Sequence, residues 1–250
     1  MACVFRMEGK VPFAHIPKGL MGFNPGTLDL VVSWAKRFGA LPPGSSVLDI
    51  GTSQLFCEDD PASLNRFLVH FGAVPYENAD LAQMAKGGFA GRLFQRAGFH
   101  YRAVDITPHP QTLRIDLNVT GLPFWHRRRY ALVMNCGTTE HVLNQLNAFQ
   151  LIHDATAVGG LMYHGVPMAG DFSHGFLSYH PKVFTRMQET NGYEMLARWI
   201  WAADERQSYQ EVELADVSRR FEAQDAWAHF LMRRKSKAPF KTPTDLVESG

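Results

Sequence analysis

The sequence predicts an α/β fold with a doubly wound, mostly parallel sheet, and three observations carry that prediction. Three short apolar segments, at 47–50, 101–106 and 130–135, end in polar or glycine residues, as buried strands do when they lead to a ligand crevice. Segments with helical periodicity alternate with these strands along the chain. The interval from Asp49 to Asp105 is longer than one crossover helix needs, which indicates a helical insertion after the first strand.

The elements before the insertion follow from apolar periodicity and from residues that start or stop helices. A one-sided apolar stripe predicts a helix of about twelve residues that begins near Thr27 and stops at Gly39. A strand is predicted at 46–50. A second helix is predicted over 61–71, with Asp60 as its N-cap.

The predicted insertion covers residues 55–86. A crossover helix over 87–100 then leads back into the sheet. Tyr76, Met84 and Phe89 are candidates to cover a bound ligand if the insertion serves as a lid. Packing of the insertion on the surface is the other interpretation.

The second half of the chain continues the alternation of strands and helices. The further predicted elements are a short alternating segment at 113–118, a helix at 143–156, a glycine break at 158–160, a strand at 161–167, a helix at 181–190, and strands at 193–201 and 226–232. The predicted organisation is an N-terminal arm and helix at 1–44, a main domain at 45–235 and a flexible tail at 236–250. Residues 1–25 of the arm have two interpretations, simple packing on the domain and a position over a pocket.

Composition and charge favour a soluble domain that binds small molecules. The chain has 250 residues, of which 46% are hydrophobic, and its net charge of +1 argues against broad binding to nucleic acid. Two short basic stretches, 126–129 and 233–235, fit solvated turns. Cys3, Cys57 and Cys136 form no CxxC pair, so neither a disulfide framework nor a zinc cage is predicted. No apolar run is long enough to cross a bilayer, and we expect a cytoplasmic protein without a membrane partner.

Five motifs follow one another in a specific order along residues 45–235. They are Val47-Leu48-Asp49-Ile50-Gly51-Thr52-Ser53, Ala103-Val104-Asp105-Ile106, Asp116-Leu117, the strand at 130–135 with Glu140-His141-Val142, and Val158-Gly159-Gly160. This order resembles that of the class I S-adenosylmethionine-dependent methyltransferases, especially the branch that acts on small molecules. The resemblance implies a Rossmann-like methyltransferase fold and S-adenosylmethionine as cofactor.

The resemblance also implies which residues hold the adenosine part of the cofactor. Asp105 would bind the ribose hydroxyls, because a carboxylate can accept two hydrogen bonds from a vicinal diol. Asp116 and Leu117 would contact adenine, with Asp116 accepting from the exocyclic amine. The remaining contacts expected at the ends of the second and fourth strands are Ile106, Asn135 and Gly137.

The methionine part of the cofactor is assigned to the first loop. Asp49 and Gly51 match the family's acid and first glycine, and Gly51 lets the backbone approach a ligand. The loop departs from the usual GxGxG, because residues 52–55 contain no further glycine. We therefore expect the Ser53 hydroxyl to replace a glycine amide. A structural role for Asp49, as an acid that caps neighbouring amides, is equally compatible with the sequence.

Methyl transfer to a hydroxyl or a protonated amine requires a group that removes the acceptor's proton. Histidine suits that role because its pKa lies near neutrality. His141 and His174 are the first candidates, followed by His164 and His180. The sequence thus predicts base-assisted, in-line methyl transfer to an O or N of a small metabolite. The alternative is a non-catalytic cofactor-binding subunit or scaffold, and a homodimer is left open.

Other activities lack the motifs they need. A nicotinamide dehydrogenase requires GxGxxG after the first strand, and residues 51–56 supply only the first glycine. A serine hydrolase requires GxSxG, but Asp171 stands where the glycine before Ser173 belongs. The acidic run 58–60 fits the start of a helix, so no metal site is predicted there.

Overall fold

The structure is a computed structural model that describes residues 22–39, 41–170, 174–203, 209–212 and 225–245. Most of the predicted N-terminal arm lies outside the described residues, as does the end of the tail from residue 246. Ser173 of the rejected hydrolase motif lies outside them as well.

Ten strands and six α-helices make up the described part of the chain. The strands are β1 (Ser46–Ile50), β2 (Gln54–Phe56), β3 (Lys86–Phe89), β4 (His100–Asp105), β5 (Thr112–Arg114), β6 (Tyr130–Cys136), β7 (Thr156–Ala169), β8 (Glu194–Ala203), β9 (Tyr209–Val212) and β10 (Ala226–Arg233). The helices are α1 (Pro25–Phe38), α2 (Ala62–His70), α3 (Asn78–Ala85), α4 (Ala90–Arg96), α5 (Gln145–Ala155) and α6 (Lys182–Asn191).

The main sheet has eight strands in the order β5-β4-β1-β6-β7-β10-β8-β9. The first five are parallel to one another, whereas β10 pairs antiparallel with both β7 and β8, and β9 pairs antiparallel with β8. This arrangement confirms the predicted doubly wound, mostly parallel sheet. The chain runs outward from β1 to β5 on one side and from β6 to β7 on the other, so β1 and β6 flank the topological switch point. Ligands bind at this position in open α/β sheets.

Two hydrophobic cores cover the two faces of the sheet. One contains Trp34 of α1, Phe67 of α2 and Phe94 of α4, and the other contains Phe149 of α5 and Phe184 of α6. Helices therefore lie on both faces, which buries the apolar side chains that point to either side of each strand. None of the helices in the described ranges is long and apolar enough to span a membrane.

The first helices differ in detail from the prediction. Helix α1 begins at Pro25 rather than near Thr27, because the Asn24 side chain caps it by accepting from the Thr27 N–H over 2.9 Å. Asp60 is not a side-chain cap of α2. Its carboxylate instead pairs with the guanidinium of Arg66, at 2.6 Å.

The insertion is closed by a small second sheet. Residues 86–89 form β3 and pair antiparallel with β2, so the crossover helix begins at Ala90 and not at residue 87. Met84 and Phe89, two of the lid candidates, are buried in the first core. The third, Tyr76, packs its ring against the Arg96 guanidinium at 4.6 Å. All three therefore have packing roles in this structure.

Two predictions for the second half are wrong, and one strand was missed. Residues 158–160 lie inside the long strand β7 and do not break the chain before it. Leu146, which the periodicity assigns to the buried face of α5, is 49% exposed. Strand β9 was not predicted.

The predicted flexible tail is tied to the body over its first residues. Arg234 lies just before the tail, and its buried guanidinium donates to the Ala238 carbonyl of the tail over 3.1 Å as well as to the carbonyl oxygens of His153 and Thr156, at the end of α5. Further along, the Lys241 N–H donates to Asn191 Oδ1 over 2.8 Å. The last carbonyl groups of a helix have no donor within the helix, and a buried arginine supplies several N–H donors at once.

Candidate functional site

The ends of β1, β4 and β6 meet around the loop that follows β1. The Thr52 N–H donates to Asp105 Oδ2 over 2.8 Å, which ties this loop to the end of β4. On the other side, the Thr138 hydroxyl donates to the Ile50 carbonyl over 2.6 Å and ties it to the segment after β6. The predicted crevice is thus a set of strand ends joined by hydrogen bonds.

Gly51 occupies the tightest point of this arrangement. Its φ of +94° lies in the left-handed region, and a Cβ atom there would overlap Thr138 Oγ1. Any other residue would be strained by the backbone angle and would displace the Thr138 side chain. The glycine predicted from the motif is therefore required by the geometry.

A cavity of about 260 Å³ opens at these strand ends. Five residues predicted for the site line it: Gly51, Ser53, Asp105, Gly137 and His141. Further lining residues that the sequence analysis did not single out include Gly22, Gln54, Phe56 and Thr138. Gly22 belongs to the predicted arm, so the described end of that arm does border the pocket.

The Asp105 carboxylate lines the cavity. Two backbone N–H groups hold it in place, and it can still accept further hydrogen bonds. Oδ2 accepts from the Thr52 N–H and Oδ1 accepts from the Thr107 N–H, both at 2.8 Å. Each carboxylate oxygen can accept a second hydrogen bond, so both remain available to a ligand. The adjacent Ile106 is 63% exposed and offers an apolar surface beside the carboxylate.

Asp49 lies beneath the loop, not on the cavity wall. Its Oδ2 accepts from the Tyr101 hydroxyl at 2.6 Å and from the Ser53 N–H at 3.1 Å. The side chain is fully buried, and this burial raises the pKa of the carboxyl to about 7 despite these two hydrogen bonds. The structure therefore gives Asp49 the positioning role that the sequence left open, through the Ser53 amide.

The predicted adenine contacts are not part of the cavity lining. Asp116 Oδ1 accepts from the Asn118 N–H over 2.8 Å, and Leu117 is buried in the second core. Both follow β5, which lies beside β4 at the same edge of the sheet. They are thus one strand farther out than Asp105.

Asn135, predicted to contact the cofactor, does not line the cavity and instead holds the turn that follows β6. It is fully buried, its Oδ1 accepts from the Thr139 N–H at 3.2 Å, and its Nδ2 donates to Thr139 Oγ1 at 2.8 Å. These bonds shape the turn after β6, which carries Gly137 and His141 to the cavity.

The two leading histidine candidates meet at Glu140. His174 Nε2 lies 3.0 Å from Glu140 Oε1, and His141 Nε2 lies 4.0 Å from the same oxygen. The two imidazole rings are 5.0 Å apart between centroids. His141 faces the cavity with 39% of its side chain exposed, while Glu140 is fully buried behind it.

The other histidine candidates do not join this cluster. His164 is buried between Phe149 and Phe184, and burial lowers its pKa to about 3, so it is a neutral core residue. His180 is exposed, and its Nδ1 accepts from the Lys182 N–H at the start of α6. Neither residue lines the cavity.

The sequence does not identify two residues of this site as functional. Glu140 belongs to the Glu140-His141-Val142 motif, and its place directly before His141 is a usable signal. Tyr101 lies in a predicted strand, and only the pairing of β1 with β4 shows that its hydroxyl reaches Asp49.

Comparison with known proteins gives matches in structure alone. No protein-family model matches the chain, and no curated protein matches it in sequence. One matching structure is the 1,6-didemethyltoxoflavin-N1-methyltransferase of Burkholderia thailandensis with bound 1,6-didemethyltoxoflavin and S-adenosylhomocysteine. It is 10% identical with a TM-score of 0.46, and the match covers 84% of this chain and 78% of that chain.

Two other solved structures are similar to the same extent. An S-adenosylmethionine-dependent methyltransferase of Archaeoglobus fulgidus is 11% identical with a TM-score of 0.46, and the match covers 83% of this chain and 94% of that chain. An S-adenosylmethionine-dependent methyltransferase of Mesorhizobium loti is 13% identical with a TM-score of 0.45, covering 83% of this chain and 100% of that chain. Matches at this level do not establish a shared activity. The sheet order is the evidence for the fold of this chain.

Proposed function

We propose that this chain is an S-adenosylmethionine-dependent methyltransferase that acts on an O or N of a small molecule. The observation that carries the proposal is the convergence of three strand ends on one cavity, with the unsaturated carboxylate of Asp105 on its wall. This is the position where doubly wound sheets bind nucleotide-like ligands. A carboxylate with spare acceptor capacity at the second strand end suits a ribose diol.

The residues around the cavity fit the cofactor in three places. Asp105 would accept from the ribose hydroxyls, and the exposed face of Ile106 would cover one side of the adenine ring. Gly51, where a side chain cannot fit, and Ser53 would hold the amino-acid end. Asp116 and Leu117 remain our proposed contacts to the outer edge of adenine, from the neighbouring strand end.

Bound S-adenosylmethionine supplies a methyl group on a sulfonium sulfur that an aligned nucleophile can take. The task of the protein is to orient the acceptor and to receive its proton. His141 faces the cavity, and the buried Glu140 carboxylate lies 4.0 Å from its Nε2 and 3.0 Å from His174 Nε2. We assign proton removal to this Glu140–His141–His174 cluster, with His141 nearest the acceptor.

The proposal is tested by incubating the protein with S-adenosylmethionine and a library of small hydroxyl and amine compounds while S-adenosylhomocysteine formation is measured. We expect turnover with at least one compound, and Asp105→Ala should lower its rate about 5- to 150-fold at limiting cofactor. The exposed Asp80 on α3 provides the matched control, because Asp80→Ala leaves the cavity untouched. Tight cofactor binding with no turnover across the library would favour the non-catalytic subunit.

A further inference from the structure

Three potential metal ligands meet at the wall of the cavity. Glu140 Oε1 lies 3.0 Å from His174 Nε2 and 4.0 Å from His141 Nε2, and one ligand atom from each residue lies within 4.8 Å of the others. Zinc bonds of about 2.0–2.1 Å at tetrahedral angles place neighbouring ligand atoms roughly 3.3 Å apart. The observed separations therefore need only small side-chain adjustments to enclose an ion.

The buried carboxylate of Glu140 lacks some of the hydrogen bonds that would replace its hydration. Glu140 is fully buried, and its Oε2 has no hydrogen-bond partner within the described part of the chain. Within the described residues, the Glu140 carboxylate forms ion pairs with the two histidines and none with a lysine or arginine. Burying a carboxylate without full pairing is costly, because the charge loses its hydration. A cation bound among these three side chains would remove that cost.

The backbone holds the cluster together. The N–H groups of Phe176 and Leu177 both donate to the Glu140 carbonyl, at 3.0 and 3.2 Å. A Cβ atom on Gly175 would lie 2.9 Å from Glu140 Cγ, so a glycine is needed for the loop to approach this closely. These contacts fix His174 next to Glu140, which is the pre-organisation that a metal site requires.

The cluster is open toward the cavity through His141. Two imidazoles and one carboxylate with a free position form a ligand set that catalytic zinc sites use. A water molecule or an acceptor atom in the cavity would take the free position.

We propose that Glu140, His141 and His174 form a binding site for a divalent transition-metal ion of the zinc class. The site follows from the cluster's geometry and does not depend on methyl transfer. One consequence does rest on the proposed function: in the metal-bound protein, the ion would bind the acceptor's oxygen and favour transfer of its proton to water in the open cavity, which leaves the oxygen as the nucleophile that takes the methyl group. The imidazole nitrogens would then act as ligands, and His141 would remove the acceptor's proton only in the metal-free protein.

The test is a titration of tag-free, metal-depleted protein with zinc by calorimetry and with cobalt(II) by visible absorption. We expect one saturable site per chain and the intense visible bands of low-coordinate cobalt(II). His141→Gln and Glu140→Gln should each weaken binding by more than about 100-fold, since even the loss of a residue that only hydrogen-bonds to a metal ligand costs about 10- to 100-fold. His100→Gln is the matched control, because His100 is exposed at the opposite end of the sheet.

His141→Gln keeps the test valid if Glu140→Gln fails to fold, because the His141 side chain is already partly exposed. Thermal unfolding and near-ultraviolet circular dichroism verify that each variant is folded. The proposal is overturned if the parent protein binds zinc without saturation, or if folded His141→Gln binds it as tightly as the parent.

A parallel titration with S-adenosylhomocysteine separates the two proposals. Cofactor binding without saturable zinc binding would overturn the metal site and leave the proposed function intact. Saturable zinc binding without cofactor binding would overturn the proposed function and leave the metal site intact.

Discussion

The Thr52 N–H donates to Asp105 Oδ2 over 2.8 Å, so the residue that ends β4 holds the loop that follows β1. The same carboxylate lines the cavity. Asp105 thus connects the shape of the loop with the chemistry of the proposed ribose site, and a change at this residue should affect both.

Asp105→Ala should weaken the binding of S-adenosylhomocysteine by about 1–3 kcal/mol, the cost of leaving buried polar groups unpaired. The loss has two sources, because the ribose hydroxyls and the Thr52 amide both lose their acceptor. Calorimetric titration measures the effect, with Asp80→Ala as the control. Unchanged affinity in folded Asp105→Ala would refute the placement of the ribose.

Gly51→Ala and Gly44→Ala separate backbone strain from steric exclusion at the site. Both glycines have positive φ values, +94° and +86°, so each alanine should cost about 1 kcal/mol of unfolding free energy. Only the Cβ at position 51 meets another group, Thr138, whereas nothing lies near the Cβ at position 44. Urea unfolding should therefore show a larger loss for Gly51→Ala, and only that variant should lose cofactor affinity. Equal behaviour of the two would contradict the role of Gly51.

Arg234→Met should destabilise the protein by about 2–4 kcal/mol, because the buried guanidinium donates to the His153 and Thr156 carbonyls at the end of α5. The adjacent Arg233→Met is the control. Arg233 pairs with the partly exposed Glu194 at 3.3 Å, and such pairs contribute about 0–1 kcal/mol. Denaturant unfolding compares the two variants, and similar losses would mean that Arg234 does not anchor the tail.

Three buried histidines predict a loss of stability in acid. Burial lowers the pKa values of His153, His164 and His229 to about 4, 3 and 3, well below about 6.5 for an unfolded chain. Below pH 6.5 the unfolded state therefore binds more protons than the native state, and the free energy of unfolding falls as the pH is lowered. Asp49 acts in the opposite direction, because its pKa of about 7 lets the native state bind an extra proton between pH 3.8 and 7.

The three histidines outweigh the single carboxylate, so the net stability should decrease from pH 6.5 to 4.5. Each net proton changes the unfolding free energy by at most about 1.4 kcal/mol per pH unit. His229→Phe should reduce the slope by about that amount, while the exposed His100→Phe should leave it unchanged. Denaturant unfolding across this pH range measures the slope, and an identical slope in His229→Phe would contradict the assignment.

Much of the fold could be predicted because its strands are short apolar segments with clear ends. The ends of β1, β4 and β6 follow from such segments, and these ends place the site. Strand β3 could not be predicted, because Lys86–Phe89 contains two glycines and pairs with β2 across the insertion. Its pairing is a tertiary contact that no local pattern shows.

The candidate site was predictable only where a single element supplies the residue. Asp105 and Gly51 stand at strand ends and follow from the motif order. The contact between Tyr101 and Asp49 depends on the register of two strands, so the sequence left the role of Asp49 open. The approach of His174 to Glu140 depends on the path of a loop, which local sequence does not specify.

The central claim is that the cavity at the switch point binds S-adenosylmethionine. Calorimetric titration of the purified protein with S-adenosylmethionine, S-adenosylhomocysteine and NAD tests it most directly. We predict saturable binding of the two sulfur compounds and no binding of NAD, because the loop after β1 lacks the glycines of a dinucleotide site. If folded protein binds neither sulfur compound, the cofactor assignment is wrong.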